Sequence, residues 1–133
     1  MTADARERRL ALAAGILFVA NLTFVPGLSF LVLAWLWRTR RAAAGPVARQ
    51  HLEQAMRASV FAGALLCLAA AIVFAGGRRN PWSWVAAILY FTCVHSTLVL
   101  MGIVAVTRAS ALQPWRFPLI GGHEPGRGIG ARR

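Results

Sequence analysis

The sequence predicts an all-α integral membrane protein, a small helical bundle in which three long apolar blocks form four helical segments. Three observations predict it. Uncharged runs cover Leu10–Trp37, Ala58–Gly77 and Pro81–Thr107, and runs of about 20 apolar residues are long enough to cross a bilayer. The arginines collect between these runs and at the chain ends. Proline and glycine punctuate the runs where a helix would have to stop or turn. With 58% hydrophobic residues and a mean hydropathy of +0.57, little of the chain is left over for a soluble domain. The expected organisation is one polytopic domain over residues 1–120 and a Gly/Arg-rich flexible tail over 121–133.

The first block holds the central ambiguity, because Ala20–Phe30 (ANLTFVPGLSF) places Asn21, Thr23, Pro26 and Gly27 in the middle of an apolar run. A single crossing would leave five arginines on one side of the membrane and ten on the other. A turn back at Asn21–Gly27 would place thirteen on one side and two on the other, which the positive-inside bias favours. Length argues against the hairpin: Leu10–Ala20 and Leu28–Trp37 each make about 15 Å of helix, against a hydrocarbon core of about 30 Å. Arginine snorkelling or a re-entrant path offsets that shortfall. The hairpin, with its turn at Asn21, Pro26 and Gly27, is the favoured reading, and one kinked helix is the alternative.

Trp35 and Trp37 precede Arg38-Thr39-Arg40-Arg41, an aromatic and basic membrane boundary. Arg38, Arg40, Arg41 and, near the far end, Arg116 are the expected contacts to lipid headgroups. A short loop over Ala42–Gly45 leads to a helix restarting at Pro46 or Val47. Arg49, Glu53 and Arg57 follow at i,i+4 spacing, which supports a helical extension above the membrane. Gly76-Gly77-Arg78-Arg79-Asn80-Pro81 then ends one helix and starts the next, with Trp82 and Trp84 where interfacial tryptophans belong.

The net charge of +11 would suggest nucleic acid in a soluble protein. Its segregation between apolar blocks points instead to the anionic surface of a bilayer, and nucleic-acid binding is disfavoured. No cleavable signal peptide is read from ARERR and the run after it, since the n-region carries an acid and the run is long. Cys67 and Cys93 both fall within expected spans, which suits buried small hydrophobes better than a disulfide or zinc site.

Among residues able to carry chemistry, His95 stands out near the middle of the third block, with Thr92, Cys93, Ser96 and Thr97 around it. Intramembrane ionisable groups are functional candidates by default. The plainer reading is a neutral imidazole hydrogen-bonded to Asn21 or Thr23. The sharper ones are a metal or haem ligand, or a proton-handling or quinone-contacting group. His51 lies before the second block and more than about 20 Å from His95 on helical spacing, so one haem iron cannot join them. No acid lies within an apolar block, and no catalytic set, phosphate loop or metal-spaced cluster appears. No enzyme and no cofactor is therefore expected. Ser59, Gly63, Cys67, Ala71 and Ala75 recur every fourth residue, a small-residue stripe suited to close helix approach or to a partner subunit.

The order of these pieces resembles a group of small bacterial membrane proteins distantly similar to a component of the chloroplast inner-envelope import translocon, the Tic-twenty-like family. The matching residues are Pro26-Gly27, Trp35 with Arg38–Arg41, His51 with Gln54-Ala55, and Trp115-Arg116-Phe117-Pro118-Leu119. Where that family continues its histidine motif with Asn-Phe-Gln, this chain has Arg57-Ala58-Ser59. The resemblance implies four membrane helices with both termini on one side, and no enzymatic activity. The functional expectation is a non-catalytic accessory, assembly or structural subunit of a larger complex in the bacterial inner membrane, with both termini cytoplasmic. Its partners would be the lipid bilayer and other membrane subunits. The alternatives are a redox or quinone-associated anchor using His95 with a partner chain, and a Tic-twenty-like translocation or channel component.

Overall fold

The computed structural model describes residues 2–117, so the expected tail over 121–133 and the Pro118-Leu119 part of the exit motif lie outside the described residues. Four helices follow one another: α1 (Ala3–Thr23), α2 (Leu28–Arg40), α3 (Pro46–Gly76) and α4 (Pro81–Ser110). Among the described residues there is no strand. Two of the helices, α3 and α4, are long and apolar enough to cross a membrane.

The first apolar block is two helices. Helix α1 stops at Thr23 and α2 starts at Leu28, with Gly27 between them at φ 85°, a left-handed backbone that favours glycine. Asn21 closes the turn: its Oδ1 accepts the Gly27 N–H at 3.1 Å. Thr23 Oγ1 donates to Val19 O at 2.9 Å, while the Phe24 and Val25 N–H groups both reach Ala20 O at 3.0 Å. Asn21 and Thr23, polar residues that interrupt the block, thus each satisfy one backbone group at the turn. Helix α2 folds back along α1, burying Leu33 in the core that Ala14 and Phe18 also enter.

Helix α3 starts at Pro46, where proline's missing N–H costs nothing, yet Gly45 at its N-cap has no side chain to offer. Glu7, on α1, supplies the cap: its Oε1 accepts from Val47 N at 2.8 Å and from Ala48 N at 3.2 Å. Its negative charge also lies against the positive end of the helix dipole. At the other end Gly77 at φ 89° ends α3, and Asn80 caps α4 by accepting the Trp82 N–H at 3.1 Å.

Helices α1 and α4 run antiparallel and very close. A Cβ built on Gly15 would meet Val106 Cγ2 at 2.9 Å, and one on Gly102 would meet Val19 Cγ2 at 2.7 Å and Phe18 at 3.1 Å. Ala11, Ala48 and Ala109 pack together where α1, α3 and α4 converge. After α4 the chain turns back at Leu112, and Pro114–Phe117 lies against α3. Gln113 O meets His51 Nε2 at 3.0 Å, the Phe117 N–H donates to Gln54 Oε1 at 3.4 Å, and the Phe117 ring packs edge-on against Phe18 at 5.6 Å. His51 and Gln54 are buried polar residues whose partners come from this returning strap.

The two cysteines are not buried as expected; Cys67 and Cys93 are free and exposed. They lie on the outward faces of α3 and α4, where the neighbouring apolar side chains Leu66, Leu68, Phe91 and Leu100 are exposed too.

Candidate functional site

The α1–α2 turn is level with the middle of the two long helices. Asn21, Pro26 and Gly27 share one cavity with Ser59 and Gly63 of α3 and with Tyr90 and His95 of α4. Beyond that level α3 continues to Gly76 and α4 begins at Pro81, an overhang of about 20 Å at helical rise. Among the described residues, α3 and α4 have only each other over the overhang. Ala69, Val73, Ser83 and Ala87 are buried there, while Phe74, Val85, Ile88 and Leu89 face outward.

The cavity is about 460 Å³ and predominantly apolar. Its polar groups are few and peculiar. Ser59 Oγ and Tyr90 OH are buried with no hydrogen-bond partner among the described residues, and Ser59 is only 4% exposed. Such orphans are rare because an unpaired buried hydroxyl forfeits its hydration. His95 is half-buried, with its ring stacked on Phe91 at 5.0 Å between centroids and 21° between planes. It makes no hydrogen bond to the described residues. The expected bond to Asn21 or Thr23 is not formed; Asn21 Oδ1 accepts the Gly27 N–H and the Thr23 hydroxyl donates to Val19 O, both within the turn.

His51 is elsewhere, bonded to Gln113 at the start of α3, so the structure does not bring the two histidines together. Among the described residues no group of three His, Cys, Asp or Glu could hold a metal ion. Two acids are spoken for, Glu7 by the α3 cap and Glu53 by a salt bridge to Arg49 at 3.0 Å. Arg38, Arg40, Arg41 and Arg116 are all exposed, and the Arg41 guanidinium lies 4.0 Å from the Trp37 ring centroid.

Of the five small residues spaced by four, Ser59 is buried while Gly63, Cys67, Ala71 and Ala75 are exposed. A Cβ on Gly63 would meet nothing within 4 Å. Geometry explains the split: each step of four residues turns about 40° around a helix, so four steps turn about 160°. Ala55, Ala62, Ala69 and Gly76, spaced by seven, drift by only about 20° per step. Ala55 and Ala69 are buried, Ala62 half-buried, and a Cβ on Gly76 would collide with Ser83 Oγ. Together with Gly15 and Gly102, these are the close-packing residues that sequence spacing had not singled out. The seven-residue repeat was the available signal.

Among the described residues, four helices packed around one cavity, two of them long and apolar enough to cross a membrane, define a small all-helical protein. The chain belongs to the magnetosome magnetite crystal formation protein family (MamF/MmsF), whose sequence profile matches residues 6–122. No curated relative and no solved structure matched the chain. The family match overturns the Tic-twenty-like resemblance. That resemblance rested on the order of Pro26-Gly27, Trp35 before Arg38–Arg41, His51 with Gln54-Ala55, and the Trp115-Arg116-Phe117-Pro118-Leu119 exit, and turn, aromatic and basic boundary features of this kind are common to membrane helices.

Proposed function

We propose that the chain is a non-catalytic integral membrane component of magnetite crystal formation, acting as a structural or accessory subunit in the magnetosome membrane. The observation that carries the reading is the match between the depth of the α1–α2 turn and the distribution of charge. The turn lies level with the middle of α3 and α4, and its Phe24, Val25 and Gly27 N–H groups have acceptors within the turn, Ala20 O for the first two and Asn21 Oδ1 for the third. Each N–H so satisfied lowers the cost of placing the turn inside the hydrocarbon. From Trp84 to Arg108, α4 runs about 36 Å, enough for a hydrocarbon core of about 30 Å.

On this reading α3 and α4 span, whereas α1 and α2 enter from the arginine-rich side and turn at mid-depth. Both termini and the 38–57 loop share that side, and the Arg78–Arg79 turn is opposite. Residues 1–120 act as one unit. The outward-facing Cys67 and Ala71 give a neighbouring membrane helix a surface for close approach.

The test is genetic and cell-biological. In magnetite-forming cells that lack the chain, crystals measured by electron microscopy should change in size or shape. His95→Gln should restore them and Gly102→Leu should not. Restoration failing with His95→Gln while the folded protein accumulates normally would show that His95 chemistry is required, and the structural reading would fall.

A further inference from the structure

The cavity beside the Asn21–Gly27 turn has the properties of a ligand site. Its volume of about 460 Å³ lies in the range of about 300–1,000 Å³ typical of small-molecule pockets. No charged side chain lines it. On the membrane reading it sits at mid-depth, which excludes a phosphate or ionised carboxylate headgroup, because an unpaired charge there has neither water nor a counter-ion. What it does offer is hydrogen bonding without partners. Among the described residues, Ser59 Oγ and Tyr90 OH are both orphaned and the ring nitrogens of His95 are unbonded. Phe91 and His95, stacked at 5.0 Å, present flat aromatic surface beside them. The walls open where Val60, Leu66 and Phe91 are exposed, a mouth facing lipid.

We propose that this cavity binds a neutral lipophile with a carbonyl-bearing ring, of the prenylquinone class. The ring occupies the cavity, its carbonyl oxygens accept hydrogen bonds from the Ser59 and Tyr90 hydroxyls and the His95 N–H, and its tail leaves between Val60 and Leu66 into the bilayer. A purely aliphatic chain would fill the volume and leave both hydroxyls unpaired; a carbonyl-bearing ring satisfies them. The site rests on the reading that α3 and α4 cross the membrane. It involves binding only, with no electron transfer assigned to the chain.

The experiment uses the full chain in lipid nanodiscs and radiolabelled decylubiquinone as the probe, with uptake by empty nanodiscs subtracted. Saturable binding of about one probe per chain is expected. Gly63→Leu, whose added side chain enters open space, should abolish saturation without lowering the unfolding temperature. Ser59→Ala and Tyr90→Phe should each weaken binding about five- to tenfold. Uptake that stays linear, or binding untouched by Gly63→Leu, would overturn the site. Displacement by an equal concentration of palmitic acid would overturn it as well, marking a generic acyl groove. Co-elution of the chain with the nanodisc separates the two readings: integration without saturable binding sinks the site alone, and failure to integrate sinks the membrane reading and the site together.

Discussion

Glu7 of α1 caps α3 from forty residues away in sequence, its Oε1 accepting the Val47 N–H at 2.8 Å. The capping position itself is Gly45, and a Cβ there would displace the Glu7 carboxylate from its present place. One acid therefore ties the entry of the long central helix to the first helix of the chain.

Removing that tie should be measurable. Glu7→Ala should destabilise the protein by about 1–2 kcal/mol, the usual range for a lost cap with a favourable dipole contact. Gly45→Ala should destabilise it by displacing the same carboxylate, so the double variant should lose less than the sum of the two. Unfolding in mild detergent, followed by circular dichroism, gives all three values; strict additivity would mean that the two residues act separately.

The close seam between α1 and α4 predicts a contrast between glycines. Gly102→Leu drives a side chain into Phe18 and Val19, and Gly15→Leu into Val106. Each should cost about 1–3 kcal/mol or more as overpacking and lower the folded yield. Gly63→Leu should cost little in the isolated chain, since the space beside it is open. Equal losses at all three positions would contradict the packing described.

The turn at mid-chain makes a third case. Gly27 has φ 85°, and its N–H is held by Asn21. Gly27→Ala should cost about 1–2 kcal/mol through the left-handed backbone, and Asn21→Leu about 1–3 kcal/mol by orphaning the Gly27 N–H. Thermal unfolding measures both, and unchanged midpoints would show that the turn does not need its cap.

Much of this architecture was legible in the sequence. Asn21, Pro26 and Gly27 marked the turn because each has a specific backbone use there, and Pro46 and Pro81 marked the two helix starts that α3 and α4 adopt. The site was legible in part. His95 was singled out as an ionisable group in an apolar run, but Tyr90 was not, because one aromatic among many carries no local signal. The α1–α4 seam was hidden for a related reason. In a segment apolar on every face, periodicity does not separate the side that meets a helix from the side that meets lipid. The Glu7 cap joins residues with no local pattern between them, and only the assembled fold displays it.

The depth of the first hairpin is the central claim, and thiol accessibility tests it most directly. In a background with Cys67 and Cys93 replaced by serine, single cysteines are placed at Thr2, Ala43, Pro26 and Asn80, the variants are produced in the inner membrane of a bacterium that forms no magnetosomes, and intact cells are treated with a membrane-impermeant maleimide. Labelling at Asn80 alone is predicted, with Thr2 and Ala43 reacting only after the cells are opened and Pro26 shielded throughout. Labelling of Thr2 together with Asn80 would place the N-terminus on the far side and contradict the re-entrant hairpin.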